Sequence, residues 1–236
     1  MIRHALTRSA LPLLALLAGP ASAADKDVGI GSFERVRITG PFDVTFAPGP
    51  PRARVSGDAR AIERMVVRVE GATLIIRMNG QDWGEQRRVA PTAPISIALS
   101  APSLSAAAVF AGGRLRATRM KGPRVELSIS GSGEVAVEDV AADRLDATLV
   151  GAGSMTLAGR AGRTRLVTNG AGRIDAERLR ADDLVVLLDG PGETKAAARY
   201  NAQVTNTGLG QVTVTGSAKC VVASRGGGPV RCGASR

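Results

Sequence analysis

Between residues 111 and 210 the chain alternates apolar and polar residues in short bursts, each hinged on a small-residue triplet. The triplets are Ala111-Gly-Gly113, Gly131-Ser-Gly133, Gly151-Ala-Gly153, Gly170-Ala-Gly172, Gly190-Pro-Gly192 and Gly208-Leu-Gly210, with first residues 20, 20, 19, 20 and 18 positions apart. Ahead of the corners the apolar set reads Val125, Leu127, Ile129, then Leu145, Ala147, Leu149, then Leu184, Val186, Leu188. Behind them it reads Leu115, Ala117, then Val135, Val137, then Met155, Leu157, then Ile174, Ala176, then Val212, Val214. Period two on both sides of a glycine predicts two short strands joined by a tight bend. A period near twenty predicts that such units stack. The expected fold is therefore all-β, a parallel β-solenoid of about six coils over residues 103–236. Val135, Met155 and Ile174 should lie in one continuous inward column.

The segment before the repeats is less periodic. Phe33-Glu-Arg-Val-Arg-Ile38 and Phe42-Asp-Val-Thr-Phe46 alternate around a Gly40-Pro41 turn, and Arg52–Val55 starts another strand. Asp58 is placed to cap a short helix reaching Met65. Val66–Val69 and Thr73–Met78 read as strands about the Glu70-Gly71 turn, Asn79–Pro94 as a polar loop, and Ile95–Leu99 and Ser105–Val109 as strands. Residues 33–102 are thus expected as an irregular strand region that shields the exposed edge of the first coil. With the coils it makes one domain, 33–236.

The first 23 residues read as a secretory signal. Arg3 and Arg8 give the positive start, Leu11–Ala18 the apolar run and Ala21-Ser-Ala23 the cleavage site. Residues 24–32 follow as a flexible lead-in. The mature protein is expected to be exported, to the periplasm or the outer cell surface, with no membrane helix. Cys220 and Cys232 would then share an oxidising compartment and pair as a disulfide that pins the last coil.

Aromatics are only 3% of the 236 residues while glycines number 29, as a narrow interior of stacked aliphatics with glycine corners requires. The net charge of +10 is spread without a dense basic block and has few aromatics interleaved, which argues against nucleic acid as a partner. Much of it has a structural use. Stacking would set Arg114 beside Glu134, Arg173 beside Glu193 and Asp175 beside Lys195, each a favourable cross-strand pair.

These features together resemble one bacterial family. The opening Phe33-Glu-Arg-Val-Arg-Ile38 with Gly40-Pro-Phe-Asp-Val-Thr45, the Val55-Ser-Gly-Asp58 step, Leu74-Ile-Ile76, Pro102-Ser-Leu104 and the Gly-Ser-Gly and Gly-Ala-Gly series are similar to DUF2807, the autotransporter adhesin head GIN domain. The resemblance implies a right-handed parallel β-solenoid in an exported envelope protein, and it carries no catalytic residues to transfer.

The chemical inventory is narrow. The only histidine, His4, lies in the signal, which removes histidine-based nucleophilic machinery and histidine-ligated metal sites from the mature chain. The Gly-x-Gly corners lack the Lys-Ser/Thr and the helix of a phosphate loop. Neither a cofactor nor a metal is expected. Carboxylates remain: Glu138 and Glu177 fall at equivalent positions two coils apart with Ala158 between, about 9.6 Å by the strand spacing, near the upper separation of an inverting pair. Arg178 and Asp139 lie one position on. The plainer reading is two solvated glutamates. Asp182-Asp183 and Asp143/Asp146 read as turn residues. Trp83, in the polar loop, reads either as a plug over an end of the solenoid or as a ligand platform. The function expected is non-enzymatic, an adhesin-like or scaffold module binding another envelope component or a glycan. The alternatives are a polysaccharide hydrolase or lyase, and a periplasmic sensor or accessory that binds a protein.

Overall fold

The structure, a computed structural model, describes residues 23–79 and 94–233. The polar loop with Trp83, and most of the segment read as a signal, lie outside them. Strands β1 (Ala23–Val28), β2 (Arg35–Thr39), β3 (Phe42–Pro48) and β4 (Arg52–Asp58) precede α1 (Ala59–Glu63), the one helix among the described residues. Then come β5 (Met65–Glu70), β6 (Thr73–Met78), β7 (Ile95–Ala101), β8 (Ala106–Phe110) and β9 (Arg114–Ala117). The long strands β10 (Met120–Gly131), β11 (Glu134–Gly151), β12 (Ser154–Asn169), β13 (Arg173–Asp189) and β14 (Glu193–Asn206) form the repeats. They are closed by β15 (Gln211–Thr215), β16 (Lys219–Ser224) and β17 (Val230–Cys232).

From β8 onward each coil lies in parallel on the one before, giving a β-solenoid of about six turns. The expected column is present: Leu115, Val135, Met155, Ile174, Thr194 and Val212 are successive ladder partners, all buried. A second column on the other side of the corners runs Val109, Ile129, Leu149, Thr168, Leu188, Asn206. Burying one such aliphatic side chain stabilises by about 1.5–3 kcal/mol, so every coil adds its own share of core.

Glycine is required where corners stack. Gly151 has φ 116°, and a Cβ there would come within 2.5 Å of the Gly131 carbonyl oxygen directly beneath it. A side chain at this corner meets backbone, which cannot give way.

The N-terminal region shields the end of the stack, but it is more regular than the sequence reading has it. β2 pairs in parallel with β8 and β3 with β9, so Gly40 makes the same corner as the repeat triplets. β6 and β7 then pair in parallel with the opposite edges of β2 and β3. The level built by β2 and β3 is therefore sandwiched between two levels formed later in the chain. Antiparallel strands finish this end, β5 on β6, β4 on β7 and β1 on β4.

Two further local readings change. Ala23–Val28, within the stretch read as signal end and lead-in, is a strand, because its backbone completes the bare edge of β4 and Asp27 pairs with Arg54. The helix is capped as expected, Asp58 accepting from the Ala61 amide at 2.9 Å, but it stops at Glu63 so that Met65 can open β5. The buried phenylalanines Phe33, Phe42 and Phe46 all sit in this N-terminal part, with the Phe33 and Phe46 rings edge to face at 6.5 Å. The buried side chains of the narrow repeats are aliphatic apart from Thr164, Thr168, Thr194 and Asn206.

Candidate functional site

Each repeat bends twice more after its inward column. In β11 the strict alternation lapses around Glu138-Asp139 and again at Ala142–Arg144, and β12, β13 and β14 lapse at the stacked positions. Between the two bends lies a short third flank. Met120, Val140 and Leu179 point inward from it and are fully buried.

Outside, the third flanks line up as a groove of about 990 Å³ that crosses successive coils from Gly122 to Gly216. Its floor is alanine: Ala161, Ala181 and Ala198 are 4%, 2% and 4% exposed, so the floor is packed, with no slot beneath it. One bank carries Lys121, Arg160 and Arg180, exposed at equivalent positions of their coils. The ladder runs Lys121, Ala141, Arg160, Arg180, Ala197, which sets Arg160 and Arg180 directly side by side. An adjoining hollow of about 380 Å³ extends this bank to Arg119, Asp139 and Arg178. The other bank carries Asp143 and Asp182, both exposed at the bend, and beyond Asp182 the exposed Arg199 of the next coil.

Several charges elsewhere on the solenoid are paired. Arg114 reaches Glu134 at 3.5 Å and Arg173 reaches Glu193 at 2.8 Å, as the stacking predicts, and Arg114 also reaches Asp43 at 3.2 Å, which it does not. Asp175 and Lys195 are ladder partners but form no ion pair. Lys195 turns to Glu193 at 3.4 Å, and Asp175 accepts from the Glu177 amide. Asp146 is not a turn residue: it stands on the straight part of β11 and accepts two hydrogen bonds from Arg144 at 2.9 and 3.1 Å, with Arg124 at 3.1 Å. The Arg144 hydrogen bonds hold its carboxyl below the usual aspartate range, against the opposing effect of burial. Asp183 accepts from Asn201 of the next coil at 2.7 Å, leaving Asp182 to the groove.

The carboxylates singled out as a pair are not set in one column. The register slips between Thr156 and Ala158, and Ala158 is laddered to Arg178 rather than to Glu177. Glu138 and Glu177 are both exposed at the bend and neither lines the groove. Cys220 and Cys232 form the expected disulfide, Cα atoms 6.1 Å apart, tying β16 to β17. The sequence reading passed over the file of Lys121, Arg160 and Arg180, although it recurs at the repeat period. Alanines interrupt it, and charge at an outward position reads as ordinary surface.

A β-solenoid with a surface groove along its axis is the class that this geometry defines. The chain belongs to the family DUF2807, described as "Putative auto-transporter adhesin, head GIN domain", which it matches over residues 32–218. No curated protein sequence matches it. Among solved structures it is similar to a "putative adhesin" from Bacteroides fragilis, with 17% identity, TM-score 0.76, and coverage of 90% of this chain and 94% of that one. It is also similar to a "Putative lipid binding protein" from Parabacteroides distasonis, with 19% identity, TM-score 0.72, and coverage of 92% and 98%. A "putative adhesin" from Parabacteroides merdae follows, with 14% identity, TM-score 0.67, and coverage of 92% and 98%. At these identities the likeness establishes the shared fold. No helix among the described residues is long and apolar enough to cross a membrane.

Proposed function

We propose that this chain is an exported, non-enzymatic, adhesin-like protein of the cell envelope that holds an envelope component or glycan along its third flank. The observation that carries the reading is the axial groove, long enough to take an extended ligand across several coils and charged on both banks. The family description and the disulfide, a bond kept in oxidising compartments, support export and adhesion. That Ala158 is laddered to Arg178 rather than Glu177, with Glu138 and Glu177 both exposed and outside the groove, counts against the hydrolase alternative. The packed alanine floor counts against burial of an acyl chain in this groove.

The test is capture. Purified mature protein is applied to a glycan array and to solubilised envelope fractions, beside a variant with the groove filled by Ala141→Trp. Retention of a defined glycan or envelope component by the parent but not by the variant is the expected result. Sugar release from a polysaccharide panel, or no retention on either surface, overturns the proposal.

A further inference from the structure

The two banks of the groove narrow the ligand. Like charges directly opposite on a β-ladder destabilise it. Where arginines stack elsewhere, carboxylates stand among them: the ladder partners Arg124 and Arg144 share Asp146, and Arg163, next to Arg144, has Asp183 as its other ladder partner. Arg160 and Arg180 have no carboxylate anywhere on their file. They are nearest ladder neighbours, about 4.8 Å apart by the strand spacing, and Lys121 continues the file two coils away. Among the described residues no carboxylate lies within ion-pair distance of any of the three, though ten ion pairs form elsewhere. The file faces a groove, so an anion from solution can take the place that a glutamate fills beside Arg114 and Arg173.

The opposite bank decides which anion. Asp143 and Asp182 repel a ligand that is negative all round, such as a polyphosphate chain, but they accept hydrogen bonds from hydroxyls. The floor is closed, with Ala161, Ala181 and Ala198 buried and Ala142 and Ala197 partly exposed, so it gives the C–H face of a sugar ring a shallow surface to lie on and an acyl chain no slot. One ligand class has carboxylates on one edge, hydroxyls on the other and a rigid extended backbone. We infer that the groove binds a linear acidic polysaccharide rich in uronate residues, lying along the solenoid axis with its carboxylates on Lys121, Arg160 and Arg180 and its hydroxyls toward Asp143 and Asp182. The inference rests on the adhesin-like reading and names the ligand class for that groove.

The experiment titrates the mature protein with fluorescently labelled polygalacturonate oligomers, and with their methyl esters, polyphosphate and phosphatidylglycerol vesicles as competing probes. Polygalacturonate should bind, more weakly as salt screens the file. Its affinity should fall at least tenfold in Arg160→Gln/Arg180→Gln. The control Arg165→Gln, an exposed arginine on another face, should bind as the parent does. Asp143→Asn/Asp182→Asn should gain affinity for polyphosphate. Circular dichroism confirms folding of each variant, all at exposed positions. Equal binding of the methyl ester, unchanged affinity in the arginine double variant, or preference for polyphosphate or vesicles overturns the inference. Retention of some other glycan that is lost on filling the groove would leave the broader adhesin-like reading standing while this one fails; no retention at all removes both.

Discussion

The hydroxyls of Thr168 and Thr194 meet at 3.0 Å in the interior of the solenoid, each side chain fully buried, Thr194 in an otherwise aliphatic column and Thr168 in one that is aliphatic but for Asn206. They come from opposite sides of the corner, so the bond ties the two columns across the core. Replacing Thr194 alone by Val keeps the shape but strands the Thr168 hydroxyl, which should cost about 1–3 kcal/mol. The double variant Thr168→Val/Thr194→Val removes both partners and should recover most of that loss. Urea midpoints of the four proteins in the cycle measure the difference, and an additive result would show the bond to be without consequence.

A Cβ at residue 151 would press on the Gly131 carbonyl oxygen while its own backbone sits at φ 116°. Gly151→Ala should therefore lose about 3 kcal/mol, strain and overpacking together. Gly71 also has a positive φ, 60°, but nothing lies within 4 Å of its would-be Cβ, so Gly71→Ala should cost only about 1 kcal/mol. Thermal or chemical denaturation of the pair separates a crowded corner from a merely left-handed turn.

Acid should reveal the Asp146 cluster. Hydrogen bonds from Arg144, with Arg124 adding its charge, lower the native carboxyl below its unfolded value of about 3.9. A lowered native value means that the stabilisation is complete above the unfolded value and is withdrawn as pH falls through the native one. The gap in urea midpoint between the parent and Asp146→Asn should thus be constant near neutrality and should shrink below about pH 4. A gap that grows in acid would contradict the assignment.

Cys220 and Cys232 close a short loop at the last coil, where β16 has exposed residues along nearly its whole length. Substituting both by Ala should cost about 3 kcal/mol in the chain-entropy account. The loss should be local. Hydrogen exchange ought to accelerate in β16 and β17 and stay unchanged in β11 and β12, and reduction of the parent should reproduce the pattern.

The repeats were legible because they put consecutive coils at consecutive stretches of sequence. Val135, Met155 and Ile174 could be stacked by counting alone. The same count misses the level of β2 and β3, since Arg114 reaches back to Asp43 across 71 intervening steps of chain. Gly40 makes a repeat corner there, yet β4, α1, β5, β6 and β7 separate it from its partner at Ala111–Gly113. Small slips defeat the count in another way. The shift between Thr156 and Ala158 moves Arg178 into the place that an unbroken period assigns to Glu177. Lys121, Arg160 and Arg180 keep their register through those slips, but their significance lies in missing carboxylate neighbours, which only coordinates can display.

The sandwiched level has a consequence for how the molecule comes into being. A chain folding from its N-terminus cannot wind this rod as thread is wound on a spool, because β2 and β3, already paired on one edge with β6 and β7, gain partners on the other only when β8 and β9 arrive. Roughly the first half of the polypeptide must be present before that level is complete, whereas each later coil lays itself on one already made.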